Sequence, residues 1–146
     1  MFKKGHVLEA TIKGLAFGGK GVAKIPTENG DFTIFIQNTF PGQTVKAQVV
    51  LCKRRHAECR LMEVLENAPE EVGIPFQAIP GAPYATFPIE AQHKYKEETT
   101  LDLFRRIAGI EKPEELYKGL VPSPTVWHYR NKMAVSYTHL TLPTKA

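Results

Sequence analysis

The sequence predicts an α+β chain in which a small five-stranded β barrel precedes a proline-rich connector, one helix and the start of a further β region. Short stretches within residues 5–66 alternate apolar and polar side chains, as strands do, and glycine- or proline-containing turns separate them. Residues 88–108 instead repeat apolar side chains at helical spacing. The chain has 146 residues, 42% of them hydrophobic, which is enough for a packed core.

The turn signals divide residues 5–66 into five antiparallel strands. The first strand is HVLEATI, and GLAFGGKG, which follows it, is interpreted as a glycine-rich loop. KRRH, before the fifth strand, is interpreted as a charged turn. Asn29-Gly30 predicts a two-residue hairpin and Pro41-Gly42 a type II turn. The alternation in the last two strands predicts that the inward side chains are Val45, Ala47, Val49, Leu51, Ala57, Cys59 and Leu61.

Five short strands in about sixty residues favour closure into an OB-like barrel, because closure removes exposed strand edges. A small open meander is the competing interpretation. Residues 67–87 are rich in proline and are expected to form an extended connector. In the helix of residues 88–108, Thr86 is placed to cap the start and Gly109 to end it, while Leu101, Phe104 and Ala108 share one stripe. WHYRNKM is expected to begin another strand.

The charge distribution permits a polyanionic partner without requiring one. The net charge is +4, and residues 1–66 carry ten Lys/Arg against six Asp/Glu. No apolar run approaches the ~18 residues of a membrane span, and no apolar stretch follows the first lysines as in a secretory signal. We therefore expect a monomer in the cytosol, without a membrane partner.

The two cysteines, Cys52 and Cys59, flank KRRHAE and have only His56 as a nearby metal ligand. A zinc site would need two more ligands, and a reducing cytosol would keep the thiols apart. We interpret both cysteines as small apolar core residues. His6, His93 and His128 have no partner at ligand spacing and receive no catalytic role.

Two loops of an OB-type barrel border its oligonucleotide-binding face. Here they are GLAFGGKG and KRRH, which bring glycine backbone and cations that attract phosphate, and aromatic rings can stack on unpaired bases. An equally weighted alternative is that the glycines only permit a tight loop and KRRH is a solvated turn. The candidate RNA-binding residues in this region are Phe17, Lys20, Phe35, Lys53, Arg54, Arg55 and His56.

A second candidate surface lies near the end of the chain, in PSPTVWHYRNKM. Its aromatic side chains can stack on bases, its cations can bind phosphate, and Asn131 can bond a base edge. The alternative is a strand with one buried aromatic face. The candidates here are Tyr129, Arg130, Asn131 and Lys132. For Arg105 and Arg106, at the end of the helix, interaction with the helix dipole is at least as good an interpretation as RNA contact.

The order of these stretches resembles a known family. GLAFGGKGVAKI, FIQNTFPGQTV and the strand ending RLMEVLENAP look like a TRAM domain, an OB-like RNA-binding module of RNA-modifying enzymes. PYATFPIEAQHKYKEETTLDLFRRIAG and PSPTVWHYRNKM resemble the segment that follows it in bacterial RNA uracil-5-methyltransferases of the RumA/TrmA type. The resemblance predicts a TRAM domain at residues 1–66, a connector at 67–87 and the start of the enzyme's central region at 88–133.

The resemblance implies an S-adenosylmethionine-dependent parent enzyme that acts on rRNA or tRNA. In that chemistry a cysteine thiolate adds to uracil C6, C5 takes the methyl group, and a carboxylate removes the C5 proton. No residue here matches those catalytic or cofactor positions, so the chain alone is expected to be inactive. Many relatives hold an iron–sulfur cluster with four cysteines near the connector; IPFQAIPGAPYATFP has none, and no cluster is expected.

Residues 134–146, AVSYTHLTLPTKA, depart from the family pattern and are interpreted as a non-native tail. Two hypotheses remain beside the enzyme fragment. One is a free-standing TRAM/OB-fold RNA-binding module without enzymatic activity. The other is a structural OB-like domain that docks on a protein partner.

Overall fold

The computed structural model describes residues 2–28, 30–74, 82 and 84–127. Six strands form one sheet: β1 (Val7–Thr11), β2 (Gly14–Ala16), β3 (Lys20–Thr27), β4 (Gly30–Gln37), β5 (Thr44–Cys52) and β6 (His56–Glu66). Two helices follow, α1 (Ile89–Arg106) and α2 (Pro113–Leu116). The structure confirms the prediction that a β-rich OB-like domain is followed by a helix.

The sheet order is β1-β5-β6-β4-β3-β2, with β4 and β6 parallel and the other pairs antiparallel. Its two end strands, β1 and β2, are consecutive in the chain and are joined only by Ile12 and Lys13. The Ile12 N–H donates to the Gln43 carbonyl (2.9 Å) and the Lys13 N–H to the Val22 carbonyl (2.8 Å), on opposite sides of the bend. The bend therefore carries the chain from one end of the sheet to the other, and the strand order, in which β5 and β6 lie between β1 and β4, differs from that of a meander.

This bend corrects the predicted strand count. The first predicted strand, HVLEATI, is observed as β1, and an additional short strand, β2, follows the bend, because the backbone there changes partners from β5 to β3. Gly14–Ala16, predicted as part of a glycine-rich loop, is consequently a strand, and the loop is limited to residues 17–19.

The barrel core contains the inward side chains of all the longer strands. Its buried members are Leu8, Ile12, Ala23, Ile34, Ile36, Val45, Ala47, Val49, Ala57 and Cys59. Leu51, predicted to face inward with them, is 45% exposed, because a register shift between Val49 and Leu51 interrupts the alternation. The Pro41-Gly42 turn forms as predicted: the Gln43 N–H donates to the Phe40 carbonyl, and Gly42 has φ 93°.

A second, aromatic cluster fastens the connector and α1 to the barrel. Phe40, in the turn after β4, is 1% exposed; its ring stacks on Phe87 and meets Tyr95 edge-on, with centroids 4.8 Å apart. The Phe40 N–H donates to Gln43 Oε1 (2.8 Å), and Gln43 Nε2 donates to Glu71 Oε1 (2.6 Å). Two residues near the two ends of the connector, Glu71 and Phe87, therefore contact the turn between β4 and β5.

The helix begins one residue later than predicted and without the predicted cap. Pro88 occupies the N-cap position and makes no side-chain cap hydrogen bond, so Thr86 is not the cap. Every residue of α1 is at least partly exposed, including Phe104 at 40% in the predicted apolar stripe. The half of α1 that begins after Tyr95 therefore stands over the barrel surface without being embedded in it.

Candidate nucleic-acid interface

The outward surface of β3, β4 and β6 is set by strand alternation. Because Ile34 and Ile36 point into the core, Thr33 and Phe35 on β4 face outward. Phe35 pairs with Val22 of β3 on one side and with Glu58 of β6 on the other. This is the face of an OB-type barrel from which oligonucleotides are bound.

The C-terminal half of α1 lies opposite this face, across an open cleft of about 710 Å³. We call it the helix–barrel cleft. The barrel contributes Lys13, Gly14, Leu15, Ala16, Phe17, Val22, Lys24, Thr33, Phe35, Arg55 and His56, and the helix side contributes Thr99, Asp102, Leu103, Arg106 and Ile107.

Aromatic rings lie on the barrel side of the cleft. Phe35 and His56 meet edge-on, with ring centroids 5.6 Å apart and planes at 79°. Phe17, in the loop after β2, is 70% exposed. An exposed phenyl ring offers a flat surface on which a base can stack irrespective of its identity.

The charged side chains of the cleft are predominantly positive. Lys13, Lys24 and Arg55 come from the barrel and Arg106 from the helix, and all four are exposed. The single carboxylate of the described lining, Asp102, lies 3.5 Å from Arg106 Nε. This excess of cations attracts a polyanion, with a strength that falls as salt rises.

Lys20, a predicted RNA-binding residue, is placed outside this cleft. Its Nζ lies 3.0 Å from Glu58 Oε2, and this hydrogen bond, followed by the lysine charge, holds the pKa of Glu58 below its ordinary value. The two residues, with Phe35 and Arg60 among others, line a smaller depression of about 250 Å³ on the same sheet.

The remaining predicted site residues fall into three groups: those that line the cleft, those that are exposed outside it, and those outside the described residues. Phe17, Phe35, Arg55 and His56 are brought together in the helix–barrel cleft, whereas Lys53 and Arg54 are exposed outside its described lining. The four candidates near the end of the chain, Tyr129, Arg130, Asn131 and Lys132, lie outside the described residues.

Sequence reasoning missed Lys13 and Lys24, and it left open whether Arg105 or Arg106 of the helix contacts RNA. Because side chains alternate between the two faces of a strand, the sequence alone could have placed Lys24 on the same face as Val22, two residues before it. The two helix arginines are separated by the structure: Arg105 pairs with Glu114 of α2, while Arg106 lines the cleft. Which arginine faces the barrel depends on how α1 is docked, and no local signal carries that information.

The cysteines belong to the barrel core, as the sequence predicted. Burial, followed by the nearby Cys52, raises the pKa of Cys59 to about 11, so its thiol is protonated at neutral pH. Within the described part of the chain, no group of three His, Cys, Asp or Glu side chains is arranged to hold a metal ion. None of the described helices is both long and apolar enough to cross a membrane.

Comparison with known proteins agrees with this geometry. Residues 2–62 match the TRAM domain family. Over 140 residues the chain is 31% identical to an uncharacterised RNA methyltransferase of Halalkalibacterium halodurans, covering 90% of this chain and 28% of that protein. A second uncharacterised RNA methyltransferase, of Chlorobaculum tepidum, is 32% identical over 142 residues, covering 95% of this chain and 29% of that protein.

A third relative has a more specific name. The 23S rRNA (uracil(1939)-C(5))-methyltransferase RlmD of Alkalilimnicola ehrlichii is 29% identical over 135 residues, which cover 90% of this chain and 29% of that protein. The chain thus spans less than a third of the length of these relatives. Its residues 2–62 match the TRAM domain family, and beyond them the chain continues to resemble part of these RNA methyltransferases.

Proposed function

We propose that this chain is the RNA-binding portion of an S-adenosylmethionine-dependent RNA (uracil-5-)-methyltransferase that acts on rRNA or tRNA in the cytoplasm. The observation that carries the RNA-binding part is the helix–barrel cleft, which combines aromatic rings with four cations on the oligonucleotide-binding face of a TRAM domain. The names of the relatives support the enzymatic part.

The chemistry of the cleft favours RNA over an uncharged ligand. Lys24 is in register with Thr33, two residues before Phe35 on β4, and Arg55 precedes His56, which pairs with Thr33 from the other side. A phosphate chain that crosses the sheet at Thr33 therefore meets a cation on each side of β4. Phosphate contacts supply most of the affinity in such sites, and stacking on Phe35 or Phe17 adds to it without requiring a particular base.

Cys59, the buried one of the two cysteines, does not suit the nucleophilic step. Attack on uracil C6 needs a thiolate, whereas Cys59 is 3% exposed and its pKa is raised to about 11. We therefore propose that the nucleophile and the S-adenosylmethionine site belong to other parts of the enzyme, and that the 146-residue chain binds RNA without methylating it.

RNA binding is tested by measuring affinity at several salt concentrations between about 50 and 200 mM. The double variant Lys24→Gln/Arg55→Gln removes two cations from the cleft, and we expect the slope of log affinity against log salt to fall by about two. Lys53→Gln/Arg54→Gln removes the same charge from outside the cleft and serves as the matched control. The proposal would be contradicted if both double variants changed the salt slope equally, or if the unsubstituted chain did not bind RNA.

The enzymatic part is tested with the genomic locus. We expect the reading frame beyond the codon for Met133 to encode a cysteine nucleophile and an S-adenosylmethionine site, and the longer product to transfer a labelled methyl group to uracil C5 of rRNA or tRNA. The 146-residue chain in the same assay is the control. If the longer product bound RNA but transferred no methyl group, the result would favour the alternative of an RNA-binding module without enzymatic activity.

A further inference from the structure

We propose that Tyr84 of the connector is a positioning residue for RNA binding: its hydroxyl fixes the loop of residues 17–19 and, through that loop, the exposed ring of Phe17. The inference rests on the proposed RNA-binding function. It adds to that function a residue that lies outside the described lining of the helix–barrel cleft.

The loop of residues 17–19, which joins β2 to β3, contains two consecutive glycines. Gly18 and Gly19 have φ of 90° and 81°, a left-handed conformation that glycine reaches readily and other residues rarely adopt. The Gly19 N–H donates to the Ala16 carbonyl (3.0 Å), which closes the turn. Because glycine loses the most backbone entropy when it is fixed, such a loop keeps a single conformation only where contacts hold its backbone.

Tyr84 supplies such a contact from a position 65 residues away in the chain. Its hydroxyl donates to the Gly19 carbonyl (2.5 Å). A Cβ atom at Gly19 would lie 2.7 Å from the same hydroxyl oxygen, so the loop backbone and the phenol pack closely. Burial raises the pKa of Tyr84 above its ordinary value of 10.0, so the hydroxyl stays protonated and donates at neutral pH.

The ring and the backbone of Tyr84 are both held independently of the loop. The ring meets the buried Phe40 edge-on, with centroids 5.4 Å apart. Gln92 Nε2 of α1 donates to the Tyr84 carbonyl, and the Phe87 N–H donates to the same carbonyl, both at 3.0 Å. The Tyr84 hydroxyl is therefore a fixed donor to which the Gly19 carbonyl is bound.

Phe17 is the residue through which this hydrogen bond acts on RNA. It directly precedes Gly18, lines the helix–barrel cleft and is 70% exposed. A ring with this exposure has little packing of its own, so the loop backbone determines where it lies. Order that exists before binding does not have to be created on binding, which strengthens affinity. Tyr84 is thus expected to pre-organise a stacking surface for a base.

The test removes the hydroxyl alone. Tyr84→Phe keeps the ring against Phe40 and deletes the donor to Gly19. In the 146-residue chain without RNA, NMR relaxation should show the order parameters of the Gly18 and Gly19 amides falling from about 0.85 to below about 0.6. Affinity for an unstructured RNA of about ten nucleotides at low salt should fall about three- to tenfold. The salt slope should stay the same, because no cation is removed.

A double-variant cycle shows whether the effect passes through Phe17. In the Phe17→Ala background, Tyr84→Phe should lower the RNA affinity less than about twofold, because the ring that the loop presents is already absent. Tyr117→Phe is the matched control, since it removes a hydroxyl that donates to Glu97 of α1 instead of to the loop. It should change neither the loop order parameters nor the RNA affinity.

The outcomes distinguish the inference from the proposed function. Absence of RNA binding by the unsubstituted chain would overturn the proposed function on which the inference rests. If that chain bound RNA and Tyr84→Phe bound it equally well, the inference alone would be overturned. An equal loss of affinity with and without the Phe17 ring would show that Tyr84 only stabilises the fold, and would also overturn the inference.

Discussion

Phe40 and Phe87 stack with ring centroids 3.4 Å apart and planes at 27°, which joins the turn after β4 to the segment that leads into α1. The two residues are separated by the whole of β5, β6 and the connector. Their contact, together with Tyr95, determines where α1 starts and therefore where its C-terminal half meets the barrel. The helix–barrel cleft consequently depends on a side chain that does not line it.

The first prediction concerns this anchor. Phe40→Ala should lower the free energy of unfolding by about 3–5 kcal/mol, because a buried ring is replaced by a cavity. The measurement is denaturant unfolding followed by circular dichroism. Phe104→Ala, which removes the same ring from an exposed position on α1, should cost about 1 kcal/mol or less. Comparable losses for both variants would show that Phe40 is not the anchor.

The second prediction concerns Gly21, on the inward side of β3. A Cβ atom there would lie 2.0 Å from Thr39 Oγ1 and 3.0 Å from Ile12 Cγ2, and both neighbours are buried. Gly21→Ala should therefore destabilise the barrel by about 1–3 kcal/mol through overpacking. Gly14→Ala, whose new Cβ meets nothing within 4 Å, is the control for the change in backbone entropy. Two superimposable thermal unfolding curves for these variants would refute the clash.

The third prediction concerns the Lys20–Glu58 ion pair. Since Lys20 lowers the folded-state pKa of Glu58, Lys20→Met should raise that pKa towards its ordinary value of 4.5, as measured by NMR titration of the Glu58 carboxyl. A lowered folded pKa means that the pair contributes stability above about pH 4.5 and loses it as pH falls through the folded value. Lys24→Met, on the same strand, should leave the titration unchanged. If neither substitution changed the pKa of Glu58, Lys20 would not be the cause of its lowered value.

The fourth prediction concerns the buried thiol. With its pKa at about 11, Cys59 should resist alkylation at pH 8 in the folded chain and react only on unfolding. The Cys52→Ser variant isolates Cys59 for this measurement. Because the folded pKa exceeds the ordinary 9.0, stability should fall as pH rises from about 9 to 11, and Cys59→Ala should flatten that dependence. Rapid alkylation of native Cys59 at pH 8 would contradict its burial.

Local pattern was sufficient for much of the fold and for part of the candidate site. Alternation identified most of the inward side chains of β5 and β6, and Pro41-Gly42 identified its turn, because both signals depend on neighbouring residues alone. The same alternation failed at Leu51, where a bulge in the β5–β6 ladder reverses the facing of one residue.

By itself, the sequence determined that this chain builds a small β-rich domain with cationic and aromatic loops, followed by a connector and a helix. Only the tertiary structure decided that Phe40 is an anchor, that Lys20 pairs with Glu58, and that Arg106 rather than Arg105 meets the barrel. Strand facing and turns follow from side-chain periodicity and backbone preference within a few residues. Those three contacts join segments far apart in the chain, so they exist only once strand register and the docking of α1 have brought the segments together.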